Sequence, residues 1–244
     1  MNEVMAIAGG TWRRVLRMKV VYFLIVCVWI LIASAVNYDV LSLGEHKPFM
    51  IDISLLLNTI AVALVVISMT FEIPKEIHEG VAATLLTKPL GRTQYLVGKC
   101  VGTIITSMVI SLLIAAGFFV IFYFAFGESL MVNLLQAHIL VALCSIPMAA
   151  IAVFFSVTLS EMITPIITAI AIWFSFSCSH LLDFKFTKFI YGGILPDLDL
   201  YNFKSAAMAS AGWGYCFMAM LWGIIFSVFA LSLSSLIFRF KDIK

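Results

Sequence analysis

The chain has 244 residues, of which 63% are hydrophobic and 11% charged, with a mean hydropathy of +1.12 and a formal net charge of +2. No soluble domain hides that much apolar surface, and so small a charge excess gives no reason to expect a nucleic acid partner. Runs of about 20 apolar residues match the roughly 30 Å hydrocarbon core of a bilayer, whereas a transmembrane barrel shows alternating segments of about 10. The expected fold class is therefore all-α, a polytopic membrane protein whose residues 1–244 form one transmembrane domain.

Residues 1–19 read as a surface segment, with apolar Val4, Met5, Ile7 and Ala8 beside interface-suited Trp12 and Arg13. The first predicted span is 20–38. Its apolar run from Val20 and its Ala33-Ser34-Ala35 site resemble a signal peptide, but the basic region ahead of them is long, so an uncleaved helix is expected. The second span is 50–71, and the stretch from Phe71 to Lys99 then forms the longest cytoplasmic loop. Pro74 is placed to open a helix there and Pro89 to close it, about four turns in all, with Glu76 and Glu79 favourable near its positive end. Ile77, Val81, Leu85 and Leu86 form a stripe that either presses into a groove on another protein or lies on lipid, and periodicity favours neither.

Further spans are predicted at 100–126, 133–157, 162–182 and 213–238, making six. Only a short polar break around Ser160 and Glu161 parts the fourth from the fifth, and Pro165 is placed to open or to kink the latter. The segment 183–212, with Phe184, Phe186, Phe189, Ile190 and Tyr191, is too apolar for a solvated loop; it either dips back as a re-entrant gate or lies flat at the interface. With the N-terminus inside, Arg13, Arg14, Arg17, Lys19, Lys75, Lys88, Arg92, Lys99, Arg239, Lys241 and Lys244 are cytoplasmic, against Lys47, Lys185, Lys188 and Lys204 outside. That asymmetry predicts both termini in the cytoplasm.

Several chemistries lack their residues. Gly98-Lys99 is followed by Cys100 and preceded by Thr93 where a phosphate-binding loop needs its first glycine, so ATP binding by this chain is not expected. His78-Glu79 is followed by Ala82 where a zinc protease needs its second histidine, and no G-x-S-x-G elbow occurs. Cys27, Cys100, Cys144, Cys178 and Cys216 fall in or at the ends of spans with no C-x-x-C pair, and read as packing residues. The span centres carry no Asp, Glu, Lys or Arg, which speaks against a transporter driven by protons or sodium. His138 and His180, toward the outer ends of their spans, read as structural or interfacial.

Glu79, Gly80, Leu85, Leu86, Pro89, Arg92, Gly98 and Lys99 match a pattern like E-x-G-T-L-x-x-L-L-x-x-P-x-x-R followed by G-K, with Val81 and Ala82 in place of the usual Thr and Leu. In this the chain resembles the permeases of type 2 ABC transporters, over nearly its whole length. IAGGTWRRVLRMKVVYF, residues 7 to 23, looks like that family's elbow helix, and ILPDLDLYNFKSAA, residues 194 to 207, resembles a segment before the last span in the NosY-type subgroup. The ending LIFRFKDIK is similar to that subgroup's as well.

The resemblance implies a non-catalytic permease subunit of an ATP-driven transporter, an exporter in the bacterial or archaeal cytoplasmic membrane. It would pair with a second permease, identical or related, and with an ATPase subunit that binds the ATP and Mg; no cofactor is expected in this chain. Glu79, Gly80, Leu85, Leu86, Pro89 and Arg92 would belong to the coupling segment that docks on the ATPase. Ser54 and Asn58 share one face of the second span, as Thr164, Thr168, Ser175 and Ser179 share one of the fifth. They are either interhelical hydrogen-bonding groups or, since the family's second and fifth spans border the partner permease, pathway residues; Ser54, Asn58, Thr168 and Ser175 are expected to line a central two-fold cavity. Two rival readings are a non-transporting module that acts mechanically on an extracytoplasmic partner, and a lipid-modifying intramembrane enzyme, for which clustered catalytic groups are not apparent.

Overall fold

A computed structural model describes residues 2–35, 46–80, 91–127, 131–181, 195–201, 203–209 and 211–240. The helices are α1 (Asn2–Arg17), α2 (Lys19–Ala35), α3 (His46–Met69), α4 (Glu72–His78), α5 (Arg92–Phe126), α6 (Val132–Thr158), α7 (Thr164–Leu181), α8 (Phe203–Met208) and α9 (Trp213–Phe240), with a 3-10 turn at Asp199–Tyr201. No strand occurs among the described residues.

Each predicted span overlaps a helix among the described residues, yet not every helix qualifies as a span. Four are long and apolar enough to cross a membrane, the stretch His46–His78 together with α5, α6 and α9. A fifth is added if α1 and α2, whose axes turn by 64° at the break between Arg17 and Lys19, count as one bent span. The apolar part of α7, Thr164–Ser177, is shorter. Pro165 is the second residue of α7 and so opens that helix, where its missing N–H costs nothing.

α6 is the axis of the bundle. In its most apolar window 78% of residues are buried, against 22% for α9, because α3, α5, α7, α8 and α9 all pack on it. Leu140, Val141, Cys144 and Met148 of α6 meet Leu55, Val62 and Val66 of α3 in one core cluster. The outward faces of α2 and α9, with Phe23, Ile30, Ile225 and Phe229, remain apolar and exposed, as lipid contact requires.

α1 does not stand apart from the bundle. It lies across α5, where a Cβ on Gly98 would sit 2.8 Å from the Ile7 Cβ and one on Gly102 would sit 2.8 Å from the Thr11 Cβ. This G-x-x-x-G spacing lets the two backbones approach closely. Gly98, part of the G-K pattern, is thus a packing requirement.

The helix expected from Pro74 to Pro89 is not one piece. α3 breaks at Thr70, whose carbonyl is satisfied by the Ser156 hydroxyl of α6 at 3.1 Å, and α4 begins at Glu72, so Pro74 lies in its first turn. α4 ends after His78, where Gly80 takes φ 72°, a left-handed conformation that suits glycine at a helix end. Val81, Leu85, Leu86 and Pro89 lie outside the described residues.

Residues of 195–201 and 203–209 pack against the bundle. The Leu198 N–H donates to the Ser175 carbonyl at 3.2 Å, six residues before the end of α7 and therefore roughly 9 Å inside it. Leu198, Tyr201 and Ala206 are buried in the same core cluster as α3 and α6. Tyr201 fits because residue 223 is glycine; a Cβ there would collide with the tyrosine hydroxyl. Residues 182–194, 202 and 210, which belong to the segment expected either to re-enter or to lie at the interface, lie outside the described part.

Candidate functional site

Where α1, α4 and α5 converge, four formal charges meet. The Lys99 ammonium of α5 donates to Glu72 Oε2 at 2.7 Å and to Glu76 Oε1 at 2.6 Å, and all three side chains are buried. From α1, the Arg14 guanidinium reaches Glu76 Oε1 at 3.2 Å and Glu72 Oε2 at 3.5 Å. The Tyr95 hydroxyl donates to Glu76 Oε2. Two cations thus neutralise two anions. Arg14 is half exposed, so solvent weakens its pairs, whereas the Lys99 pairs are buried and little screened.

This cluster escapes a reading that assigns Glu76 to a helix dipole. Its signal is nevertheless in the sequence. Two glutamates four residues apart repel one another on a helix, and such a pair in an otherwise apolar region calls for a cation opposite.

Of the residues expected to couple to an ATPase, Glu79 is exposed and pairs with Lys75, one helical turn before it, at 3.8 Å. Gly80 closes α4. Arg92 starts α5 and donates to the last carbonyls of α9, Phe238 O at 2.9 Å and Arg239 O at 3.0 Å, with its guanidinium over the Phe238 ring. A cation at a helix C-terminus is favourable, so Arg92 ties α9 to α5. Leu85, Leu86 and Pro89 lie outside the described residues.

The four residues expected to line a central cavity are turned into the bundle instead. Ser54, Asn58, Thr168 and Ser175 have no exposed surface. Ser54 donates to the Ile51 carbonyl at 2.8 Å and Thr168 to the Thr164 carbonyl at 2.7 Å, each within its own helix. The Asn58 amide donates to His138 Nδ1 of α6 at 3.1 Å and approaches the Ser111 carbonyl of α5 at 3.5 Å. His138, packed against the Phe118 ring at 4.9 Å, is accordingly an interior residue. This inward placement has a simple cause. A polar side chain in a membrane helix avoids lipid by facing its own bundle as readily as by facing a pathway.

Other faces of the same two helices do border an open space. A groove of about 1060 Å³ runs between α3 and α7, lined by Ile60, Ala63 and Ile67 on one side and Ile172, Trp173 and Phe176 on the other. One end is polar, with Asp197, Asp199, Lys204 and Tyr215. The Asp199 N–H donates to Asp197 Oδ1 at 3.0 Å and the Tyr215 hydroxyl donates to the Leu200 carbonyl, so this end is built by the chain just before α8 together with the start of α9.

No family model and no curated protein matches the chain, so its role rests on its own residues and their arrangement.

Proposed function

We propose that the chain is the membrane-spanning permease subunit of an ATP-driven exporter of the type 2 ABC kind, coupled to a separate ATPase that binds the ATP and Mg. In this reading α2 and α7 complete six spans, both termini are cytoplasmic, and two such subunits, identical or related, enclose the pathway. The chain itself performs no bond chemistry. The carrying observation is the ion cluster of Glu72, Glu76, Lys99 and Arg14. It locks the helix before the stretch 81–90 to the helix after it, and both to α1. A push delivered to that stretch by a partner passes into α3, α5 and α1 together, as a two-state tilting of spans needs.

The test is to purify the tagged chain from gently solubilised membranes and assay the eluate for a co-purifying ATPase. Leu85→Asp with Leu86→Asp places two charges in an apolar contact, at several kcal/mol, and abolishes the association while insertion survives. Retained association refutes docking through this stretch. In intact cells a membrane-impermeant thiol reagent labels a cysteine at position 47 and spares one at position 88; the reverse refutes the topology.

A further inference from the structure

Beside the ion cluster, at the break between α3 and α4, buried residues line a cavity with about 10 Å³ open to the centre of a water molecule. That is room for one water and not for a ligand of several atoms. Its polar lining includes Glu72 of α4, Lys99 and Thr103 of α5 and Ser156 of α6. These groups do not satisfy one another. Glu72 Oε2 accepts from Lys99 and faces Arg14, while Glu72 Oε1 is buried with no hydrogen-bond partner among the described residues. Of the three N–H groups of the Lys99 ammonium, two go to Glu72 and Glu76, and for the third the Tyr95 ring, its centroid at 6.0 Å, is a distant acceptor. The hydroxyls of Thr103 and Ser156 donate to backbone carbonyls, to Lys99 O at 2.9 Å and to Ala152 O at 2.6 Å, which leaves their oxygen lone pairs for a further donor.

We infer that this cavity binds one structural water molecule, which accepts from the Lys99 ammonium and donates to Glu72 Oε1 and to a lining hydroxyl, Ser156 or Thr103. Three hydrogen bonds are what a buried water ordinarily makes. A sodium ion of similar size is opposed by the ammonium in the same wall, and the two anions and two cations of the cluster already balance. The water fills the joint where α4 meets α5 and α6, and it answers the one carboxylate oxygen that the ion pairs leave over. That this joint carries a partner's push rests on the permease reading; the water site does not.

A high-resolution experimental structure of the full-length chain is expected to show a single peak at about 3 Å from both Glu72 Oε1 and Lys99 Nζ. No peak there overturns the inference. Ala152→Val tests the same point through the melting temperature in detergent, because it adds two methyl groups to the wall of the cavity. Filling a dry hole raises the melting temperature, whereas displacing a bonded water strands Glu72 Oε1 and a Lys99 N–H and lowers it by several degrees. The substitution is repeated in a Glu72→Leu, Lys99→Met background, which removes both charged partners of the water while Arg14 still answers Glu76. There it is expected to leave the melting temperature unchanged or to raise it. A rise in the parent, or an equal fall in both backgrounds, meaning overpacking alone, overturns the inference. So does a melting temperature that rises when choline chloride is exchanged for sodium chloride in the parent and not in the Glu72→Leu, Lys99→Met background, the mark of a bound cation. Because no ATPase enters these measurements, their failure leaves the coupling proposal standing, and failure of the co-purification test leaves the water site standing.

Discussion

The charged cluster at α4 and the Asn58–His138 pair inside the bundle show two ways of burying polarity in one fold. At α4, two carboxylates, an ammonium and a guanidinium neutralise each other across three helices. Between α3 and α6, an amide and an imidazole meet as one hydrogen-bonded pair among the rings of Phe118 and Phe119. Desolvating charge costs far more than desolvating a dipole, so the first arrangement survives only with every partner present, and the second tolerates loss more easily. The cluster therefore fixes the relative position of its helices more sharply than it adds net stability.

The largest effect is expected where that balance is broken. Lys99→Met leaves Glu72 and Glu76 buried beside each other and costs about 3–5 kcal/mol, read as a fall in the melting temperature in detergent. Adding Glu72→Gln and Glu76→Gln recovers most of the loss; if the triple variant melts as low as the single one, unpaired charge is not the cause. Next comes Gly102→Leu, whose side chain meets Thr11 and Ala8 of α1 and costs about 1–3 kcal/mol. Its signature is faster tryptic cleavage at Arg13 and Arg17 as α1 lifts from α5.

Asn58→Leu costs about 1 kcal/mol, since interhelical hydrogen bonds in membranes average only about 0.6 kcal/mol and His138 is left unanswered. A thermal melt of this variant beside Lys99→Met sharpens the comparison: a larger drop for Asn58→Leu would reverse the ranking of the two regions. The smallest effect belongs to Arg92→Ala, about 0.3–1 kcal/mol, seen as faster hydrogen exchange in the last turn of α9.

Helix positions were legible because length and hydropathy alone specify them; 100–126 and 133–157 lie within α5 and α6. Helix faces were harder. Ser54, Asn58, Thr168 and Ser175 share faces as their spacing requires, but spacing does not say whether a polar face turns to its own bundle or to a pathway, and here it turns inward. The groove on α3 and α7 carries mostly apolar residues, which in a membrane sequence look the same as lipid-facing ones. The end of α4 after His78 was also hidden, because apolar periodicity continues in the sequence through Val81 and Leu85 while the backbone turns at Gly80. Glu72, Glu76 and Lys99 were readable in principle from charge spacing, though 23 residues separate Glu76 from Lys99 and only the fold closes that gap.

The central claim is that the cluster transmits a partner's ATP-driven motion from the 81–90 stretch into the helices. It is tested most directly by the ATP hydrolysis rate of the co-purified complex carrying Glu72→Gln, Glu76→Gln and Lys99→Met, a variant expected to fold and to keep its ATPase bound. The account predicts that this complex hydrolyses ATP at the rate of the ATPase alone, its stimulation by the permease lost. Hydrolysis at the full rate of the unaltered complex would contradict it.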